Sequence, residues 1–409
     1  AWFKENPSPS SANLVNTSAT DYALSFPNQR KCFYANGRFW VFYCGGSNMV
    51  YSSSKDGAIW TDPIAIRPCS RGYYFSIYFD GTYVHYAYSD ESSSAIYYRR
   101  GVPNANGTIT WSEEQVVDPG GGDWARKPSI AVDSDGYVWI AYLRTDPGVT
   151  SGTPYVTRSG NNDGTWGTTP SGFPCQLKPL GSSRWKLAVV PLTNGKVMVF
   201  YATDRTNIFA KVWDGSSWSA EVRTSSDIAR GYEFSAVAQG DDVHIVFRKY
   251  SSYDIVYTKY VYASGFSSEF VVQPHVSSTL TDTVAPVISM DPDTNDLYVF
   301  WSSSNYIHYR KYDASSASWE DIVDWIYDEG ITDNDKLTCS YLAYGEKVCL
   351  AYLSGSNVKF AYIPVAPQIS YFQVGVSDIS VSGKYVKASP SSPLNTANIT
   401  IRVYHNVDN

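Results

Sequence analysis

Stretches in which apolar and polar residues alternate, each interrupted by a short turn signal, extend over most of this chain. Turn residues between alternating stretches predict β-hairpins. Seven such turns follow one another: Asn36-Gly37, Asp80-Gly81, Asp135-Gly136, Asn194-Gly195, Gly240-Asp241, Asp291 to Asp296 and Tyr344 to Glu346. The first strands of these hairpins are predicted near 31–35, 74–79, 128–132, 187–192, 234–238, 286–290 and 338–343. The pattern therefore predicts an all-β protein.

An aromatic residue that opens a short strand recurs with spacings of 48 to 58 residues. The positions are Trp2, Trp60, Trp111, Trp166, Trp218, Phe266 and Trp319. A period of about 50 residues is typical of a β-propeller blade, in which the aromatic residue begins the outermost strand. Because Trp2 lies at the start of the chain, its strand is predicted to complete a blade whose other strands come last. We predict a seven-bladed β-propeller over 1–365, closed by residues 1 to about 10, and a C-terminal β-rich extension over 366–409.

The best preserved copy of the repeat is Ser54-Lys55-Asp56-Gly57-Ala58-Ile59-Trp60. It resembles the Asp-box of the sialidase-like (BNR) propellers, in which a serine and an aspartate hold a hairpin turn and the aromatic residue packs between sheets. Degenerate copies lie at Asp163 to Trp166, Asp214 to Trp218 and Asp313 to Trp319. In that family the boxes are structural and lie away from the catalytic face. The resemblance therefore implies the fold rather than an activity.

Composition narrows the classes of function. Aromatic residues make up 16% of the chain, with 34 Tyr, whereas charged residues make up 17%. This balance is common in secreted proteins that face glycans, so an extracellular or cell- or particle-surface location is expected. The formal net charge of −7 argues against a general nucleic-acid binder. No apolar run of 18 or more residues is present, so no membrane insertion is predicted.

The six cysteines show no metal-binding spacing, and no metal or cofactor is predicted. Cys32 and Cys339 occupy equivalent strands of the first and last blades, which are neighbours in a closed ring. They are expected either to form a disulfide or, the favoured alternative, to be buried free thiols.

Basic residues gather in the loops that lead into the inner strands, and in a propeller these loops line one mouth of the central channel. They are Arg30, Lys31, Arg71, Arg126, Lys127, Arg184, Lys186, Arg230 and Lys336. The clustering predicts a cationic mouth that binds an acidic glycan or polysaccharide, because arginine forks match carboxylate and sulfate geometry. Four aromatic residues, Tyr73, Trp124, Trp185 and Tyr232, are near the same mouth, where they either stack on sugar rings or pack between blades.

A two-residue turn also predicts which residues lie opposite each other across a hairpin. Opposite charges are predicted to meet in the pairs Glu233 with Arg248 and Arg71 with Asp90. Like charges are predicted to meet in the pairs Arg184 with Arg205 and Lys127 with Arg144. Opposed like charges are destabilising, so the latter pairs indicate a bound anion. Alternatively, these side chains extend into solvent or pair with nearby Asp123, Asp146 or Asp204.

The resemblance implies a further set of roles. Sialidase-like enzymes bind a sugar carboxylate with three arginines and use a tyrosine nucleophile, a glutamate that activates it and an acidic aspartate. Glu233 followed by Arg248 resembles the family's glutamate and second arginine, and Asp123 is the candidate acid. The sequence departs from the family in its seven predicted blades, since the catalytic enzymes have six.

The sequence therefore predicts a secreted propeller that binds acidic glycans, with three alternatives for its activity. A glycoside hydrolase would use Glu233 and Asp123, whereas a lectin would need only the basic and aromatic residues. A surface adhesin or assembly subunit would use the propeller as a rigid module and self-associate through the C-terminal extension.

Overall fold

The structure is a computed structural model. It describes residues 12–89, 95–120, 123–146, 152–178, 186–202, 207–225, 227–228, 233–276, 284–331 and 336–365, together with the backbone of 376–382 and 385–390. Seven antiparallel sheets of four or five strands follow one another along the chain. They form the seven-bladed β-propeller that the turn signals and the aromatic period predict.

The strands of each blade, from the inner strand outwards, are as follows. Blade 1 contains Cys32–Ala35, Arg38–Cys44, Asn48–Ser54 and Ile64–Pro68. Blade 2 contains Phe75–Phe79, Val84–Ser89, Ile96–Pro103 and Gln115–Asp118, with Ile109–Trp111 also paired to its third strand. Blade 3 contains Trp124–Val132, Val138–Thr145, Thr153–Arg158 and Cys175–Gln176. Blade 4 contains Lys186–Pro191, Val197–Ala202, Ile208–Trp213 and Val222–Ser225.

Blade 5 contains Phe234–Gln239, Asp242–Arg248, Ile255–Val261 and Phe270–Gln273, with Gly265–Phe266 paired to its third strand. Blade 6 contains Val287–Met290, Leu297–Ser303, Tyr306–Asp313 and Val323–Tyr327, with Ser318–Trp319 paired to its third strand. Blade 7 contains Leu337–Cys339, Lys347–Ser354, Asn357–Pro364 and Asn13–Thr17. A 3-10 helix, Gly72–Tyr74, precedes blade 2.

The ring is closed by a strand from the beginning of the chain, as predicted, but the strand is Asn13–Thr17 and not residues 1 to about 10. It pairs antiparallel with Asn357–Pro364 and supplies the outer strand of blade 7. Its central residue, Val15, is buried in the core between blades 7 and 1. Trp2, on which the predicted bounds rested, lies outside the described residues.

Five of the periodic aromatic residues pack against an aromatic ring of the preceding blade. Ring centroids lie 5.0 Å apart for Trp60 and Phe360, 6.4 Å for Trp111 and Phe42, 6.1 Å for Trp166 and Tyr98, 6.0 Å for Trp218 and Trp139, and 5.2 Å for Trp319 and Tyr257. Each pair buries large apolar area where two twisted sheets face each other. The aromatic period is therefore an inter-blade packing signal.

The Ser54 to Trp60 turn is held by its aspartate. The Asp56 carboxylate accepts hydrogen bonds from the amides of Ala58 and Ile59 and from the Ser54 hydroxyl. These bonds stabilise the ionised form, so the pKa of Asp56 lies below its usual value. The Trp60 indole N–H donates to the Gly57 carbonyl and completes the turn.

The chain forms two compact units, Ala1–Ala366 and Pro367–Asn409. In the second, Val376–Ser382 and Tyr385–Pro390 pair as an antiparallel hairpin. All six cysteines are free thiols, and five of them are buried. The disulfide between Cys32 and Cys339 is therefore not formed. Among the helices of the described residues, none has the length and hydrophobicity that a membrane-spanning segment needs.

Candidate functional site

The segment between the closing strand and the first inner strand blocks the channel. Residues 23–31 are all buried, and we call Asn28–Lys31 the plug. The face of the ring that carries the loops leading into the inner strands is called the loop face. The face that carries the turns after the inner strands is called the hairpin face. The plug separates the two.

Polar side chains of the plug bind backbone carbonyl groups of other blades. Asn28 donates to Leu187 O at 2.7 Å, and the Gln29 amide donates to Tyr73 O at 3.1 Å and Pro128 O at 2.9 Å. Arg30 donates to Ile288 O at 2.9 Å and Ala236 O at 2.7 Å, and its Nη1 lies 3.0 Å from Cys339 Sγ. These partners belong to blades 2 to 7, so three consecutive residues connect six blades.

The sequence predicted that Arg30 and Lys31 belong to a ligand-binding mouth. They lie in the plug instead, so that prediction is wrong for these two residues. Lys31 is fully buried, its Nζ donates to Gln29 Oε1, and burial holds its pKa well below the usual value for lysine. The physical reason is that a wide seven-bladed ring leaves a channel that large polar side chains can fill and cross-link.

Other basic residues of the loop face surround two stacked aromatic rings. Phe26 and Tyr73 stack with ring centroids 5.0 Å apart and an interplanar angle of 11°. Lys186 Nζ lies 5.1 Å from the Phe26 centroid, and Lys127 Nζ lies 5.8 Å from Phe26 and 5.5 Å from Tyr73. We call Phe26, Tyr73, Arg71, Lys127 and Lys186 the basic–aromatic cluster. It joins blades 2, 3 and 4 at the centre of the loop face.

Arg71 lies at the exposed side of this cluster. Its guanidinium donates to the Tyr73 hydroxyl, and its Cζ lies 5.7 Å from the Tyr73 ring and 5.4 Å from the Tyr22 ring. Tyr22 is 43% exposed, whereas Lys186 is 4% exposed. Cations held over aromatic faces are stabilised electrostatically. The cluster therefore presents Arg71 and Lys127 towards solvent, with the Tyr22 ring beside Arg71. Lys186 is more deeply buried.

Lys127 does not face Arg144, so this predicted like-charge pair is wrong. The turn leaves Val132 opposite Val138, which already shifts the register by one residue from the prediction. A bulge between Arg126 and Ser129 shifts it by one more, so Arg144 pairs with Ala125. Pro128 has no amide hydrogen for the ladder, which favours a bulge at this point. Lys127 adopts a φ of 56°, which is uncommon for a residue other than glycine. The bulge directs its side chain to the Phe26 and Tyr73 rings.

Arg144 is neutralised within the protein. Its Nε and Nη2 donate to the two oxygens of Asp118 at 2.9 and 2.8 Å, and its Cζ lies 4.9 Å from the Tyr155 ring. Asp118 ends the outer strand of blade 2, next to blade 3. The bidentate pair connects two blades, which is an ordinary structural role for an arginine.

Trp124 and Arg126 stack on each other at the start of blade 3. The Arg126 Cζ lies 3.7 Å from the Trp124 ring centroid, and both residues are half-buried. Asp123 adjoins them, is half-buried, and donates its amide hydrogen to Gly120 O at 3.0 Å. These three predicted residues therefore lie together on the loop face.

Glu233 and Arg248 form the ion pair that the hairpin register predicts. Gln239 pairs with Asp242 around the turn, and Arg248 Nε lies 3.0 Å from Glu233 Oε2. Both side chains are completely buried. In this arrangement the carboxylate of Glu233 is shielded from solvent by the protein itself.

The remaining predicted residues are placed as follows. Arg184, Trp185, Arg205 and Arg230 lie outside the described residues, as does Asp90. The strand registers next to these residues differ from the prediction. Lys186 pairs with Ala202 in blade 4, and Phe75 pairs with Tyr88 in blade 2. Arg71 precedes the 3-10 helix and lies in no strand, and its predicted pair with Asp90 falls outside the described residues.

The sequence did not indicate Tyr22 and Phe26, which precede the first inner strand and belong to no hairpin. The apolar run Ala23-Leu24-Ser25-Phe26 was the available signal, because such a run outside a strand needs a buried position. Within the described part of the chain, no group of three or more His, Cys, Asp or Glu side chains is arranged to hold a metal ion.

Comparison with known proteins places the fold. No protein-family model matches the sequence, and no curated protein matches it. The BP39L lectin from Burkholderia pseudomallei aligns with a TM-score of 0.65 at 13% identity, over 84% of this chain and 98% of the lectin. A polysaccharide lyase, PL25 ulvan lyase, aligns with a TM-score of 0.53 at 11% identity, over 87% of this chain and 95% of the lyase.

The NanB sialidase from Streptococcus pneumoniae aligns with a TM-score of 0.41 at 14% identity, over 87% of this chain and 70% of the sialidase. That similarity is too low to carry an argument. At these identities the alignments show a β-propeller fold, and they do not distinguish the sialidase-like superfamily from other propellers.

Proposed function

We propose that this protein is a carbohydrate-binding propeller that holds acidic glycans on its loop face through the basic–aromatic cluster. The observation that carries the proposal is the arrangement of Lys127, Lys186 and Arg71 around the stacked Phe26 and Tyr73 rings. These five residues come from four segments that are separate in sequence, and the fold brings them to one place.

The chemistry of the cluster suits a sugar that carries a carboxylate or a sulfate. Arg71 is exposed and Lys127 is half-buried, so both can donate to an anionic oxygen at the surface. Lys186 contributes positive potential from beneath. The exposed Tyr22 ring beside Arg71 provides an apolar face for the sugar ring. A glycan would then be held through its anionic group by Arg71 and Lys127, and through one face of its sugar ring by Tyr22.

The solved neighbours support carbohydrate as the ligand class. One is titled a lectin, and the ulvan lyase is also known bound to -[GlcA(1-4)Rha3S]-, which carries both a carboxylate and a sulfate. The TM-score of that complex is 0.52. One protein of similar fold is thus named a lectin, and another is named in complex with an acidic saccharide.

We favour binding without catalysis over hydrolysis, because Glu233 is completely buried against Arg248. A group that assists a nucleophile must be within reach of it. We also propose an extracellular or surface location from the aromatic-rich, charge-poor composition. Self-association through residues after 366 remains a separate proposal, to be checked by the oligomeric state with and without them.

Isothermal titration with a polyuronate oligosaccharide, a sulfated oligosaccharide, a sialoside and a neutral dextran tests the proposal. The variant is Arg71→Gln combined with Lys127→Gln, and the matched control is Lys55→Gln, which removes an exposed cation from the Asp56 turn. We expect the double variant to lose about 2–4 kcal/mol of binding free energy, which is roughly 30- to 1,000-fold in Kd. The control should bind as the parent does.

Two results would contradict the proposal. One is equal affinity of the double variant and the control for every acidic glycan. The other is binding of the neutral dextran alone. Product analysis of the same mixtures distinguishes a lectin from a lyase or hydrolase.

A further inference from the structure

A cavity lies on the hairpin face, on the opposite side of the plug from the basic–aromatic cluster. It encloses about 510 Å³, within the range of about 300–1,000 Å³ typical of small-molecule pockets. Its walls come from the turns that follow the inner strands of blades 2 to 5 and from blade 7. The residues that matter here are Tyr78, Asp80, Tyr83, Asp133, Thr193 and Tyr341.

The cavity ends blindly inside the channel. Tyr78 and Tyr341 also line a much smaller chamber of about 10 Å³, which lies against Asn28 and Arg30 of the plug. The two tyrosine rings lie 5.4 Å apart at an angle of 57° and form the floor between cavity and chamber. A chamber of that size holds about one water molecule. Among the described residues, the cavity is therefore open towards the hairpin face and closed towards the plug, which leaves no path for a polymer to thread through.

The walls differ in charge from the loop face. The cavity is lined by two carboxylates, Asp80 and Asp133, and by no lysine, arginine or histidine among the described residues. Arg30 of the plug lies behind the floor, with its Cζ 5.4 Å from the Tyr341 ring, and it donates to backbone carbonyl groups of blades 5 and 6. At the wall, Arg100 lies 4.1 Å from the Tyr83 ring, and Lys196 pairs with Asp241. An acidic sugar would thus meet two carboxylates in a cavity whose described lining includes no cationic side chain.

Two tyrosine hydroxyls at the floor of the cavity and two carboxylates in its wall can form hydrogen bonds with a ligand. Among the described residues the Tyr78 hydroxyl has no hydrogen-bond partner, although it lies in a half-buried residue at the end of the cavity. The Tyr341 hydroxyl accepts a bond from the Ala238 amide at 3.0 Å and keeps its own hydrogen to donate. Asp80 Oδ2 accepts from His85 and Asp133 Oδ2 from Trp139, and each oxygen retains a second lone pair.

We propose that this cavity binds a neutral, hydroxyl-rich ring the size of a monosaccharide, at the free end of a glycan or as a free sugar. Sugar hydroxyls both donate and accept, which matches tyrosine donors placed beside carboxylate acceptors. The Tyr78, Tyr83 and Tyr341 rings supply apolar faces for the C–H surface of the sugar. The blind end restricts recognition to a terminal residue.

The proposal is independent of acidic-glycan binding on the loop face. The two sites lie on opposite sides of the plug and differ in charge, so either can fail without the other. If both hold, one molecule presents a site for acidic groups and a site for neutral termini on its two faces.

Saturation-transfer NMR and calorimetry with the methyl glycosides of glucose, galactose, mannose and fucose test the proposal. Tyr78→Phe removes one hydroxyl and no hydrogen bond within the described residues, and we expect it to weaken binding about tenfold. Thr82→Trp places a large ring at the exposed rim and should abolish binding. Tyr327→Phe, which changes an exposed tyrosine on blade 6, is the matched control and should bind as the parent does.

The parent and both variants should have the same circular dichroism spectrum and the same affinity for the polyuronate oligosaccharide. Absence of binding to every neutral glycoside would overturn the proposal. Neutral binding that Thr82→Trp and Tyr78→Phe leave unchanged would overturn it as well, as would displacement of the neutral sugar by the acidic oligosaccharide.

Discussion

Replacing Arg30 by methionine should destabilise the whole propeller. The side chain is 7% exposed and reaches three blades from the plug. It donates to the carbonyl groups of Ile288 and Ala236 at 2.9 and 2.7 Å and lies 3.0 Å from Cys339 Sγ. Methionine has a similar length but donates no hydrogen bond. The substitution therefore removes the cross-links at the centre of the ring with little change in volume.

The magnitude follows from the two bonds to carbonyl oxygens. Hydrogen bonds that involve a charged group contribute about 1.5–3 kcal/mol each, so the free energy of unfolding should fall by about 3–6 kcal/mol. At roughly 2 °C per kcal/mol for a large domain, the Tm should fall by roughly 6–12 °C. Arg30→Lys keeps the charge but cannot reach both carbonyl groups at once. Its free energy of unfolding and its Tm should therefore lie between those of the parent and those of Arg30→Met.

Differential scanning calorimetry and urea denaturation measure these changes. The matched control is Arg223→Met on the exposed outer strand of blade 4, for which we expect a change of less than about 0.5 kcal/mol. Cys339 is buried beside Arg30, so its thiol should react faster with a thiol-specific reagent in Arg30→Met, but not in Arg223→Met. An Arg30→Met protein with the Tm and labelling rate of the parent would refute this account of the plug.

Three further predictions follow from individual contacts. Glu233→Gln leaves Arg248 buried without its charged partner and should cost about 3–5 kcal/mol in urea denaturation; unchanged stability with loss of glycoside turnover would instead support a catalytic role. Burial, with a smaller effect of Lys259, lowers the pKa of His244 to about 4, so the unfolded chain binds the proton first and stability is lost as the pH falls from about 6.5 to 4. His244→Gln should remove about 3 kcal/mol of this loss, and an unchanged pH slope would contradict the assignment. Deleting residues 1–17 exposes the edge of Asn357–Pro364 and should lower the Tm and promote aggregation, whereas unchanged melting would argue against closure by Asn13–Thr17.

The fold could be predicted because its signals are local. Each hairpin turn is encoded within a few residues, and each periodic aromatic residue marks one blade. The register of blade 5 was also predicted, because Gly240 and Asp241 form the two-residue turn that the sequence indicates. That register brings Glu233 and Arg248 together.

Other registers depend on details that a turn signal does not carry. Asp80 accepts hydrogen bonds from the amides of Thr82 and Tyr83, so the turn in blade 2 spans four residues and not two. In blade 3 the longer turn between Val132 and Val138 and the bulge before Ser129 together change the partner of Arg144. One or two residues of difference are enough to separate side chains that were predicted to meet.

The site and the plug depend on contacts between distant parts of the chain. Arg30 bonds carbonyl groups 206 and 258 residues away, and Phe26 meets lysines from blades 3 and 4. Charge clustering predicted a cationic mouth, which stays a prediction, and it could not separate Lys127, which is half-buried on the loop face, from Lys31, which is fully buried inside the channel. Only the closed ring decides which cations face solvent.

A crystal structure with a bound polyuronate or sulfated oligosaccharide would test the central claim most directly. We predict an anionic oxygen of the glycan at about 3 Å from Lys127 Nζ and from the Arg71 guanidinium, with the sugar ring against Tyr22. An acidic glycan bound between outer strands or in the cavity of the hairpin face, with the basic–aromatic cluster empty, would contradict it.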